Sequence, residues 1–214
     1  MLLALVLAGC GGGDDRPAPP APGSLAAAAA RGDAAAVAEL LARGADPDDR
    51  GAAGRTAVTA AVYAGSAEAV RALVEAGADV DLQDDERANA VLAAGETGDV
   101  DVLREVLRAE PDLSRTNRFG GTALIPAADR GHVDTVRELL RTDVDVDHVN
   151  DLGWTALLEA VILGDGGEAH REIVRLLLEA GADPDLADRD GVTPLEHARR
   201  SGFDEIAALL EAGR

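Results

Sequence analysis

Leu40-Leu41-Ala42-Arg43-Gly44-Ala45-Asp46-Pro47-Asp48 is written again, 33 positions on, as Leu73-Val74-Glu75-Ala76-Gly77-Ala78-Asp79-Val80-Asp81. Val106 to Leu113 and Leu139 to Val146 keep the register, with Glu110 and Asp143 where Gly44 and Gly77 stand. The phrase returns at Leu177 to Asp185, displaced by five extra residues, and starts once more at Leu209 to Gly213. A fixed period of this length marks stacked supersecondary units, none of which buries its apolar face alone. The chain therefore reads as one elongated body whose core grows unit by unit. Such bodies bind other macromolecules and rarely do chemistry.

Composition agrees with thin layers. Apolar residues make up 47% of the 214 and aromatics only 2%, so Ala, Leu and Val must fill the interior. The formal net charge of −20 argues against nucleic acid or anionic lipid as a partner and leaves a basic protein surface, or simple solubility, as its use. All 20 basic residues are Arg. With no Lys, P-loop phosphate binding, Schiff-base chemistry and Ser-Lys nucleophiles are excluded.

Within a unit the pattern is constant. In the fourth, Asn117-Arg118-Phe119-Gly120-Gly121-Thr122 places a turn glycine before Thr122, where a helix N-cap belongs. A short Ala-rich helix follows and Gly131 ends it. Val133, Val136, Leu139 and Leu140 then recur at helical spacing, predicting a second, amphipathic helix.

Asp188-Arg189-Asp190-Gly191-Val192-Thr193-Pro194-Leu195 carries the signature that makes this pattern resemble the ankyrin repeat. The resemblance covers about 24–214 and implies an all-α solenoid of six helix-turn-helix repeats with hairpin fingers, near 24–49, 50–82, 83–115, 116–148, 149–186 and 187–214. It also implies a protein-binding, non-catalytic scaffold with no cofactor. Three departures stand out. The family's His after Pro-Leu is replaced by Thr59, Leu92, Ile125, Leu158 and Glu196. Arg87 and Asn89 replace Gly and Thr in the third unit, which predicts a misshapen finger there. In the fifth unit, Gly164 to His170 is expected to widen the turn between helices.

Ahead of the repeats, Leu7-Ala8-Gly9-Cys10 resembles the bacterial lipobox, in which the cysteine is acylated. Residues 1–9 then read as a signal peptide, and 10–23, from Gly11-Gly12-Gly13 to Pro22-Gly23, as a flexible Gly/Pro tether. The match lacks a basic n-region, since no Arg precedes Arg16. The expected location is the cell envelope on a lipidated Cys10; the alternative is a cytoplasmic adaptor with a disordered N-terminus.

Sites of chemistry are scarce. Asp143-Val144-Asp145-Val146-Asp147 invites calcium, but an EF-hand loop from Asp143 would need Gly and Glu where His148 and Trp154 stand. His132, His148, His170 and His197 are scattered and no cysteine lies in the repeats, so no zinc site is expected. No hydrolase or nucleotide-binding motif is present, and an envelope enzyme using surface carboxylates remains an alternative without a motif. The concave-face register of the resembled family picks out Tyr63, Phe119, Leu152, Trp154, Ile162 and Leu163 as candidate partner-binding residues. The fifth unit is apolar where its neighbours are polar. Its cluster reads either as a binding hot spot on a monomer or as core covering an enlarged unit.

Overall fold

The computed structural model describes residues 23–213. Twelve α-helices lie among them, in six consecutive pairs. The first members are α1 (Leu25–Ala30), α3 (Ala57–Tyr63), α5 (Ala90–Thr97), α7 (Leu124–Asp129), α9 (Ala156–Ile162) and α11 (Pro194–Ser201). They stack on one another in that order as the inner layer. The second members, α2 (Ala34–Ala42), α4 (Ala67–Glu75), α6 (Val100–Leu107), α8 (Val133–Leu139), α10 (Glu168–Glu179) and α12 (Asp204–Ala212), form the outer layer. Among the described residues no strand forms; the fingers are tight turns, with one isolated bridge between Arg50 and Thr56. None of these helices is long and apolar enough to cross a membrane.

Each layer has the residues its environment requires. Inner helices are covered on nearly every side, so Ala57 to Val62 and Ala90 to Gly95 are buried without a break. Outer helices bury one stripe, such as Val70 with Leu73 or Val102 with Val106, and turn charge to solvent. Gly95 shows why small residues are needed in the inner layer: a Cβ there would lie 2.3 Å from the Ala123 carbonyl oxygen of the next unit. Exposed Arg–Glu pairs, Arg71–Glu105, Arg104–Glu138 and Arg137–Glu172, cross successive outer helices. At this exposure each contributes little to stability.

Ser24, Thr56, Asn89, Thr155 and Thr193 cap the inner helices, their side chains accepting N–H bonds from the first turn. Thr122 does not. In the other units the cap carbonyl accepts from the residue four on, as Ala60 N–H does to Thr56 and Glu159 N–H to Thr155. Pro126 occupies that position and has no N–H to give. The Ile125 N–H bonds the Thr122 carbonyl instead, at 3.3 Å, and the buried Thr122 hydroxyl is left without a partner.

The third finger also departs from expectation, in the opposite sense. Arg87 takes the left-handed conformation that the turn requires, φ 60°, and Asn89 caps α5 through Leu92 N–H. The Asp84 N–H to Ala88 carbonyl bond closes the turn at 2.8 Å, as Asn117 to Gly121 and Asn150 to Trp154 do in the next units. The finger keeps the common shape; the departure is carried as backbone strain at Arg87.

The fifth-unit extension widens the turn and also lengthens a helix. Its left-handed residue is Gly166, and Glu168 to His170 belong to α10, which has 12 residues where the other outer helices have 7 to 9. Counting the five extra residues, His170 holds the register of His132. His132 Nε2 lies 3.2 Å from the Glu96 carbonyl and His170 Nε2 lies 2.9 Å from the Asp129 carbonyl. Each ring thus binds the C-terminal turn of the preceding unit's inner helix. Gly98, at φ 76°, makes room for His132, whose ring stands 2.4 Å from where a Cβ would be.

Candidate functional site

A groove of about 550 Å³ runs along the inner face from the second unit to the fifth. Inner helices supply its floor: Leu92 from α5, Ile125 and Pro126 from α7, Glu159 from α9. The fingers supply one wall, through Arg55, Glu86, Phe119 and Leu152. The C-terminal ends of the inner helices supply the other, through Tyr63, Glu96, Arg130 and Leu163.

The basic groups of this groove are held within it. Arg55 Nε bonds the fully buried carboxylate of Asp84 at 3.3 Å, and its guanidinium lies 4.4 Å above the Tyr63 ring. Arg118 pairs with Glu86 and stacks on Phe119, 4.8 Å from the ring centre. Arg130 bonds Glu96 at 2.9 Å. The Tyr63 hydroxyl donates to the same Glu96 at 3.0 Å. Burial, then the Glu96 charge, pushes the Tyr63 hydroxyl up to about 12, so it remains a donor across the physiological range.

The fifth unit differs. Asn150 is buried; its Oδ1 accepts from Leu152 and Trp154 N–H, and its Nδ2 donates to Glu159 Oε1 at 2.7 Å. In the sixth unit the corresponding residues, Asp188 and His197, make the same finger-to-helix link at 2.8 Å with donor and acceptor exchanged. Glu159 is 5% exposed. Burial first, and the Asp129 charge second, push its carboxyl up to about 7, against the opposing pull of the Asn150 bond.

Of the six residues expected on the binding face, Tyr63, Phe119, Leu152 and Leu163 line the groove. Phe119, Leu152 and Leu163 are each more than half exposed. Trp154 and Ile162 are half-buried and lie outside the lining; Trp154 closes the fifth turn with its backbone. Glu159 was not among the expected residues, although it carries a signal. Its register column reads Ala60, Ala93, Pro126, Glu159, His197, and Glu159 is the one acid in that column. Cys10 and residues 1–22 lie outside the described residues.

The acids of the repeated turns are bound to the backbone. Asp46, Asp79, Asp112, Asp145 and Asp183 each accept from the N–H two residues on. Asp48, Asp81 and Asp147 accept from the N–H of the next unit's turn, at Asp79, Asp112 and Asp183. The Asp143 to Asp147 run therefore has two of its carboxylates bound to backbone N–H groups. Among the described residues no three His, Cys, Asp or Glu side chains gather to hold a metal ion. Each histidine bonds a carbonyl or carboxylate of its own body.

Comparison with known proteins agrees with this geometry. The family model for ankyrin repeats in three copies matches residues 24–117 and again 90–188. The chain is similar to an ankyrin repeat domain from Acinetobacter baumannii AYE, at 50% identity and TM-score 0.84, over 88% of this chain and 96% of that one. It is also similar to the ankyrin repeat protein EF0377, at 39% identity and TM-score 0.84, over 89% of this chain and 98% of that one. The ankyrin repeat protein YahD of Escherichia coli K12 shares 59% identity over 54 residues, which is 25% of this chain and 27% of YahD.

Proposed function

From the chain's membership of the ankyrin-repeat family, we propose that it is a non-catalytic scaffold that binds a protein partner in the inner groove. Ankyrin repeats typically mediate protein–protein interaction. The observation that carries the reading is the groove itself: Phe119, Leu152 and Leu163 stand exposed on its walls beside Leu92 and Ile125 of its floor, and its Arg118 and Arg130 are already paired within the body. Exposed apolar surface of this kind, rimmed by polar groups, is characteristic of an interface. The test is affinity capture from detergent-solubilised bacterial membranes with the full chain as bait. A partner retained by wild type should be lost with Leu152→Asp and kept with Arg104→Ala on the outer layer. Loss with Arg104→Ala alone would move the binding face to the outer helices.

We further propose that the scaffold is carried on the bacterial cell envelope through a lipidated Cys10, because Leu7-Ala8-Gly9-Cys10 has the small residues acylation requires and a Gly/Pro stretch follows at once. One acyl chain binds membranes only marginally, so stable anchoring relies on the several chains that a bacterial lipoprotein carries. The expressed protein should label with a palmitate analogue and partition into detergent, and Cys10→Ser should abolish both. Equal labelling of the variant would overturn the assignment and favour the cytoplasmic adaptor.

A further inference from the structure

The paired charges of the groove leave a remainder. Arg55, Arg118 and Arg130 are matched by Asp84, Glu86 and Glu96. Asp129 and Glu159 also line the groove, and no Arg or His side chain among the described residues forms an ion pair with either. Glu159 is more than nine-tenths buried, with Oε1 bound to Asn150 Nδ2 and no cation on the carboxylate. The two acids line the same groove, and a desolvated carboxylate costs free energy when it ionises unless a proton or a cation neutralises it. The body supplies cations to every other acid of this groove and withholds one here. We propose that Asp129 and Glu159 form a subsite for a single basic side chain, an arginine or lysine of the protein partner, with the exposed Leu152 and Leu163 receiving apolar residues beside it. The proposal rests on the groove being the binding face.

The chemistry selects this occupant over others. A divalent metal would need further ligands, and no group of three ligating side chains exists among the described residues. A guanidinium or ammonium needs only acceptors, and two carboxylates in a partly dry groove provide them. The long alkyl stem of either side chain suits a passage between leucines. The chain's charge of −20 steers a basic segment toward it.

The test uses the full chain at pH 8, with Glu159 ionised, and two probes: the peptide acetyl-Ala-Leu-Arg-Leu-Ala-amide, and the same peptide with neutral citrulline for arginine. Binding is followed by NMR through the Asn150 side-chain amide and the groove backbone. The arginine peptide should shift these signals saturably, and at least tenfold more tightly than the citrulline peptide. Glu159→Gln, which keeps the Asn150 bond, and Asp129→Asn should each weaken it at least tenfold. Glu68→Gln, which removes the same charge from exposed α4, should leave it unchanged. Equal binding of both peptides in the groove would overturn the basic subsite while leaving the groove as the binding face. Shifts confined to other surfaces would overturn both readings, and no shift with either peptide would overturn the subsite. Sedimentation of the free chain closes the last route: a dimer that Glu159→Gln dissolves would make the occupant a second copy, and would overturn the assignment to a foreign partner.

Discussion

Glu159→Gln isolates the cost of holding an acid in the groove floor. The carboxyl is raised from an ordinary 4.5 to about 7, burial being the larger cause and Asp129 the smaller. A folded-state pKa above the unfolded one means that the folded chain holds its proton more tightly. The resulting stabilisation is fully present below about pH 4.5 and is lost as pH rises through about 7. A rise of about 2.5, at about 1.4 kcal/mol per pH unit, corresponds to about 3.5 kcal/mol in full, of which about 3 is lost by pH 8. Gln at this position keeps the acceptor for Asn150 Nδ2 and never ionises. The variant should therefore match wild type within a few tenths of a kcal/mol near pH 4.5 and exceed it by about 3 kcal/mol at pH 8. Urea unfolding of both proteins at pH 5, 6, 7 and 8, at constant ionic strength, measures the difference. Every other titrating group is common to the pair, so it cancels. A difference that stays flat from pH 5 to 8, or a variant less stable than wild type at pH 8, would show that the carboxylate is solvated and would remove the electrostatic basis of the basic subsite.

The period was enough to read the architecture, because each repeat must bury the same faces in the same order. The six helix pairs and the caps at Thr56 and Thr193 follow from the register, and the grouping of Tyr63, Phe119, Leu152 and Leu163 from the register together with the concave face of the resembled family. What was not legible depends on exceptions within the register. Thr122 has the right residue type for a cap, but the proline four positions on decides where the N–H groups go. Arg87 lacks the conformational freedom of glycine, yet the surrounding hydrogen bonds impose the turn on it. Trp154 attracts attention as the single Trp, although its place near the turn keeps it outside the groove lining. Glu159 was hidden by abundance. Among 40 acidic residues it differs only in lying in a column that is otherwise small or paired, and whether an acid has a counter-ion is a property of three-dimensional neighbours.

The remaining expectations test individual packing and backbone arguments by chemical or thermal unfolding. Glu110 is exposed and left-handed at φ 51°, in a register position that holds Gly44, Gly77 and Gly181 in three other units. Glu110→Gly should stabilise by about 0.5–1 kcal/mol, as relief of a strain of about 1–2 kcal/mol exceeds the added unfolded-state entropy; a destabilised variant would refute the strain. Gly95→Ala should lose about 1 kcal/mol or more, because a Cβ 2.3 Å from the Ala123 carbonyl forces the inner layer apart and outweighs the helix-propensity gain. A stabilised variant would show that the layers yield freely. The sharpest contrast is one substitution at two equivalent positions. The Thr155 hydroxyl accepts from Leu158 N–H at 3.2 Å, so Thr155→Val should cost about 1 kcal/mol as the cap is lost. The Thr122 hydroxyl is buried without a partner, so Thr122→Val removes an unmet polar group and should gain about 1 kcal/mol. Opposite signs would trace the difference to Pro126, whose missing N–H redirects the first turn of α7. Equal losses at both positions would mean that Thr122 caps its helix after all and that the proline changes nothing.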